Sequence, residues 1–199
     1  VSVGAIIITL ILSIAMFVAM LMGKDPNFKQ EASFTWLDMG AFSIQLGFLV
    51  DNITVIMLLV VALISTCTHI FSLKYLEGDI RYSRYFAYLG LFTFSMNGIV
   101  LSNNLISMYM SWELVGVSSY LLIGHWFEKD SAANAAKKAF LTNRVGDIGF
   151  FIGIMLIYTA IGSFVFGDIF EGVSTGMISG TTLTLAGVGL FLGAMGKSS

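Results

Sequence analysis

Glu113 stands in SWELVGVSSY, near the middle of an apolar run from Leu105 to Phe127. An ionised carboxylate at such a depth in a bilayer costs on the order of several kcal/mol, so it must face protein or water. Groups of this kind carry ion or proton traffic by default; the plain alternative is a protonated carboxyl that only packs. At about 100° per residue, Glu113 shares a helix face with Gly116, Tyr120 and Gly124, and Asn104, Ser107, Ser111 and Ser118 lie opposite. The glycines leave room for a neighbouring helix or for water.

Four more residues have chemistry of the same type. Lys197 is the single charge in TLTLAGVGLFLGAMGKSS. It is either a partner for Glu113 or a stage in a proton path, or else a lysine reaching for the membrane surface. Arg144 and Asp147 are three residues apart and share a helix face. They are either an interfacial ion pair or members of a charged relay. His69 lies among Ser65, Thr66, Thr68 and Ser72. Its ordinary pKa suits proton transfer, and a hydrogen-bonded structural role is equally open. His125 reads as interfacial, and Asp51 as the cap of a helix.

These residues need a scaffold, and the composition says which. The chain has 199 residues, 57% hydrophobic and 11% charged, with a mean hydropathy of +0.89. A water-soluble fold of this size cannot hide so much apolar surface. The fold class is therefore all-α: a polytopic transmembrane helix bundle in a lipid bilayer, read as one domain over residues 1–199. Six apolar runs are long enough to cross, at 3–22, 50–73, 85–101, 105–127, 145–162 and 182–197. Ser102–Asn104 joins the third and fourth as a tight hairpin. The connection over 23–49 holds Pro26 and places Phe34, Trp36, Phe42 and Phe48 as an interfacial aromatic belt. A short separate helix is expected over 130–140, capped by Asp130 or Ser131.

Basic residues give the direction. Lys74, Arg81, Arg84, Lys129, Lys137, Lys138 and Arg144 fall on one side, and Lys24 and Lys29 on the other. The first helix then starts on the cytoplasmic or matrix side. A net charge of −2 gives no reason to expect nucleic acid. The one cysteine, Cys67, builds neither a disulfide framework nor a metal site. Dinucleotide and P-loop motifs are missing, and no Cys or His set suits haem, zinc or an iron–sulfur cluster. The opening run has neither a basic leader nor a cleavage site. The chain opens on Val1 and stops at GKSS after an apolar run, which reads as a piece of a longer protein.

The stretch YMSWELVGVSSYLLIGHWFEKDSAANAAKKAFLTNRVGDIGFF, residues 109–151, resembles the antiporter-like, proton-translocating membrane subunits of respiratory complex I. The likeness is greatest to bacterial subunit L and mitochondrial subunit 5. YSRYFAYLGLF, VDNITVIMLLVVALIST and GKSS fit the same family, and residues 1–45 fit it least. The resemblance implies a fold of two inverted five-helix repeats, of which these helices are about the second to the seventh. It implies that Glu113 is the essential glutamate of the fifth helix, paired with Lys197 on a broken seventh helix. Arg144 and Asp147 match charged positions at the start of the sixth. His69 is added to this proton pathway on its chemistry alone.

The function so implied is a proton-translocating subunit of NADH:quinone oxidoreductase with no redox chemistry of its own. NADH, flavin, iron–sulfur clusters and quinone would sit in partner subunits, with other membrane subunits alongside. The location would be the bacterial inner membrane, or the mitochondrial one. The alternatives are the large subunit of a multisubunit Na⁺/H⁺ antiporter, and a membrane subunit of a hydrogenase or inorganic-carbon uptake complex. A purely structural scaffold is also conceivable, although it has no use for a buried glutamate.

Overall fold

A computed structural model describes residues 1–23, 25, 28–40 and 43–198. Lys24, Pro26, Phe42 and Ser199 lie outside the described residues. Among the described residues seven helices and one hairpin follow in order: α1 (Ser2–Gly23), β1 (Lys29–Asp38), β2 (Ser43–Asp51), α2 (Asn52–Tyr75), α3 (Tyr82–Leu101), α4 (Leu105–Ile123), α5 (Asp130–Ile161), α6 (Phe166–Ser174) and α7 (Gly180–Lys197).

Helix ends follow from local chemistry. The Asp51 side chain accepts from Thr54 N at 2.7 Å and starts α2, as expected from its place before the apolar run. Asn104 does the same for α4, accepting from Ser107 N at 2.8 Å. Ser179 caps α7 through Thr182 N at 3.2 Å. Gly162, with φ 81°, ends α5 in the left-handed region that glycine tolerates.

α1, α2, α4 and α5 are long and apolar enough to cross a membrane. α3 and α7 have 20 and 18 residues, which at about 1.5 Å per residue also approach the thickness of the hydrocarbon core. Their hydropathy is lower because α3 opens with YSRY and carries Thr93, Ser95 and Asn97, while α7 is rich in glycine and threonine. α1 exposes Ile8, Ile11 and Leu12, as a lipid-facing helix does.

Two expectations need correction. Residues 130–140 are not a separate helix: α5 runs unbroken for 32 residues, since DSAANAAKKAFLTNRV contains neither Gly nor Pro to stop it. Its N-cap is Lys129, which makes no side-chain capping bond, and Asp130 lies in the first turn. The 23–49 connection is not only an aromatic belt. Its described part forms an antiparallel hairpin, Lys29 opposite Asp51, with an irregularity between Thr35 and Leu37. Phe34, Trp36 and Phe48 are exposed on it.

The hairpin is tied to the bundle by buried asparagines. Asn103 Nδ2 donates to Glu31 Oε1 at 2.9 Å, and Asn104 Nδ2 to the Gln45 carbonyl at 2.9 Å. Gly47 makes this approach possible, because a Cβ there would lie 2.5 Å from Asn103 Nδ2. At the same end Leu105, Ile154, Ile157, Phe164, Ile169 and Ala186 form a hydrophobic core joining α4, α5, α6 and α7. α7 is helical from Gly180 to Lys197 without the break implied by resemblance.

Candidate functional site

The α5–α7 contact is made backbone to backbone. A Cβ on Gly153 would lie 2.8 Å from the Ala186 carbonyl oxygen; one on Gly189 would lie 2.7 Å from that of Gly149. Gly146 and Gly196 face each other in the same way. Gly149 and Gly153, at the G-x-x-x-G spacing that allows close helix packing, are therefore half of a longer seam. The seam carries Arg144 and Asp147 on α5 into register with Lys197 on α7, while α4 brings Trp112 and Glu113.

The result is an ionic chain. On one side, Arg144 Nη1 pairs with Glu113 Oε2. On the other, Lys197 Nζ lies 3.9 Å from Asp147 Oδ2. Arg144 and Asp147 are one turn apart on α5, so the two pairs are contiguous. The resemblance pairs Glu113 with Lys197; in the structure the carboxylate at ion-pair distance from Lys197 is Asp147, because the seam sets Lys197 beside α5. α4 comes close to the same lysine at Gly116, where a Cβ would stand 2.7 Å from Nζ, so the missing side chain makes room for the ammonium.

Trp112 closes the arrangement. Its Nε1 donates to Asp147 Oδ1 at 2.9 Å, and Lys197 Nζ lies 5.4 Å from its ring centroid. Sequence reading passed over this residue; its signal was a ring with one polar handle directly beside the buried glutamate. The Asp147 side chain is 3% exposed and that of Lys197 is 12%. Among the described residues Lys197 Nζ has no hydrogen-bond partner.

His69 lies elsewhere. It is buried between α1, α2 and α3, with Nδ1 2.8 Å from the Ser65 carbonyl and Nε2 3.1 Å from Ser2 Oγ. Ser65 continues to Thr93 at 2.6 Å. Among the described residues no contact joins this group to the ionic chain. His125, expected at the interface, is 6% exposed and faces Asp79 at 3.7 Å. No group of three or more His, Cys, Asp or Glu among the described residues is placed to hold a metal.

Such a bundle, with apolar helices long enough to cross a membrane and alternating cations and carboxylates partly or fully buried across α4, α5 and α7, defines the class: a polytopic helical membrane protein. The comparisons then give the family. A family model described as NADH:quinone oxidoreductase/Mrp antiporter, TM, matches residues 102–199, and another, complex I chain 5 N-terminus, matches 36–86. NAD(P)H-quinone oxidoreductase chain 5 of Synechocystis sp. is 44% identical over 168 residues, covering 82% of this chain and 25% of that one. The chloroplastic subunit 5 of Acorus calamus is 43% identical over 197 residues, covering 96% and 27%. The chain belongs to the antiporter-like membrane subunits of complex I, in the chain 5 (subunit L) group. It spans about a quarter of the length of the curated relatives it matches. An archaeal respiratory membrane complex, the membrane-bound sulfane sulfur reductase, contains a chain with the same fold. The TM-score is 0.78 at 16% identity, over 96% of this chain and 37% of that one.

Proposed function

We propose that this chain is part of a proton-translocating membrane subunit of an NADH:quinone oxidoreductase. Its charged residues pass protons while quinone is reduced elsewhere in the complex. NADH, flavin, iron–sulfur clusters and quinone belong to partner subunits, and this chain contributes no cofactor. The observation that carries the reading is the contiguous chain Glu113–Arg144 and Asp147–Lys197 across α4, α5 and α7.

The chemistry follows from which members can change charge. Arginine keeps its proton, so Arg144 is a fixed charge, and Glu113, Asp147 and Lys197 exchange. A proton reaching Glu113 discharges the partner of Arg144. The guanidinium, one turn from Asp147, then draws on that carboxylate and loosens its hold on Lys197, which releases a proton onward. At about 4 Å and an effective dielectric constant of about 20, each contact is worth on the order of 4 kcal/mol in Coulomb energy. That is large enough for the state of one pair to set the state of the other.

The test is NADH-driven, quinone-dependent proton uptake in vesicles carrying the full-length protein and its Glu113→Gln variant. The expected result is loss of the gradient with the complex still assembled. Unchanged pumping would remove Glu113 from the path and turn attention to sodium–proton exchange.

A further inference from the structure

On the basic side of the bundle, a cavity of about 360 Å³ opens between the start of α3, the C-terminal end of α4 and the first turns of α5. Its lining includes Arg84, Tyr88, Tyr120, His125, Phe127 and Lys137. Arg84 Nε donates to Tyr88 Oη at 2.6 Å, and its guanidinium lies over the Tyr88 and Phe127 rings at 5.6 and 6.0 Å. The head is thus held in place while its terminal nitrogens stay available as donors. Among the described residues, no carboxylate is within ion-pair distance of Arg84 or Lys137.

The nearby acids are committed to other partners. Glu128 pairs with Arg81. Asp79 accepts from the Arg81 backbone N–H at 2.7 Å and from Trp126 Nε1 at 2.8 Å. Asp130 does not line the cavity. His125 supplies the second observation. It is 6% exposed, and among the described residues neither ring nitrogen has a hydrogen-bond partner, since Asp79 Oδ2 at 3.7 Å is beyond hydrogen-bond reach. Buried polar groups in this condition are normally satisfied by something.

We propose that this cavity binds a phosphate group, carried by an anionic phospholipid headgroup at the membrane boundary or free in solution. Three separate donors, on α3, on α5 and in the turn after α4, suit an anion with several acceptor oxygens, and arginine grips phosphate oxygens in pairs. Basic pockets between helices on the cytoplasmic side meet anionic headgroups. The rings of Tyr88, Tyr120 and Phe127 suit the glycerol and upper acyl region of a lipid.

The test uses the delipidated complex containing the full-length protein. Binding is measured for phosphatidylglycerol, for phosphatidylcholine and for inorganic phosphate alone. Variants are Arg84→Gln/Lys137→Gln and, as a control, Lys138→Gln, which is not in the lining. The expected result is retention of phosphatidylglycerol over phosphatidylcholine, weakened about tenfold or more in the double variant and unchanged in the control. Inorganic phosphate binding with the same dependence on Arg84 and Lys137, and no preference between lipids, supports the site with a soluble source. If the double variant does not assemble, Arg84→Lys replaces it, and loss of paired grip is expected to weaken binding several-fold. Equal binding by parent and variant, or no binding of either phosphate source, overturns the proposal.

Discussion

Lys197 Nζ lies 3.9 Å from Asp147 Oδ2 across the α5–α7 seam, with both side chains nearly closed to the surface. This pair and the Glu113–Arg144 pair share α5, so they should act as one unit. Residues acting as a unit give non-additive losses. Asp147→Asn and Glu113→Gln are each expected to lower proton uptake by about tenfold or more, and the double variant to be no worse than the poorer single one. A loss equal to the product of the two would mean separate paths.

Trp112 touches both members of the buried pair, and the two contacts can be separated. Trp112→Phe keeps a ring beneath Lys197 and removes the hydrogen bond to Asp147 Oδ1. A hydrogen bond to a charged group is worth about 1.5–3 kcal/mol. Proton uptake should fall about tenfold in this variant and further in Trp112→Leu, with unchanged amounts of assembled complex. Equal uptake in parent and Trp112→Phe would leave the indole with a packing role only.

The site was legible as a set of residues and illegible as a set of pairs. Glu113, Asp147 and Lys197 stand out because each is a charge in an apolar segment, where only function or a partner repays the cost, and Arg144 because it stands one turn before Asp147 at the edge of such a segment. Which carboxylate meets Lys197 depends on how far α7 slides along α5, and that is decided by a glycine seam with contacts from Gly146 to Gly196. No helical periodicity within one segment carries that information. The start of α2 was legible from Asp51, because capping is local; Asn104, read only as part of the connection between two helices, does the same for α4. The hairpin was missed although strand-like alternation in SFTWLD and the turn glycine Gly40 were present. Its aromatics also suited a membrane interface, and pairing with β2 is a non-local event.

The seam itself makes a stability prediction. A side chain at Gly153 would press on the Ala186 carbonyl and the Leu190 amide, both backbone atoms that cannot turn aside. Overpacking of this kind costs about 1–3 kcal/mol. Gly153→Ala should lower the thermal midpoint of the solubilised complex and lower pumping with it, since the seam sets the Lys197 register. Gly187, on the same helix α7, has nothing within 4 Å of a built Cβ, and Gly187→Ala should leave both unchanged. Matching effects from the two substitutions would argue against a close-packed seam.

The α2–α3 turn gives a prediction about acid. The backbone N–H of Arg81 and the indole N–H of Trp126 hold the Asp79 carboxyl below its ordinary value; the charges of His125 and Arg81 act in the same direction. A carboxylate whose folded pKa is depressed contributes stability above its unfolded pKa. The contribution is lost as pH falls through the folded value. Proteolytic resistance of the 76–82 turn should therefore begin to fall as acidification passes the ordinary aspartate range, and go on falling until the pH is below the depressed folded value. Asp79→Asn keeps one acceptor oxygen, sets an amide NH₂ where the second N–H needs an acceptor, and has no charge to lose, so its susceptibility should be raised at neutral pH and flat across the acid range. A parent protein whose turn is equally resistant above and below the aspartate range, or a variant that retains the parent's acid transition, would show that Asp79 does not hold this turn.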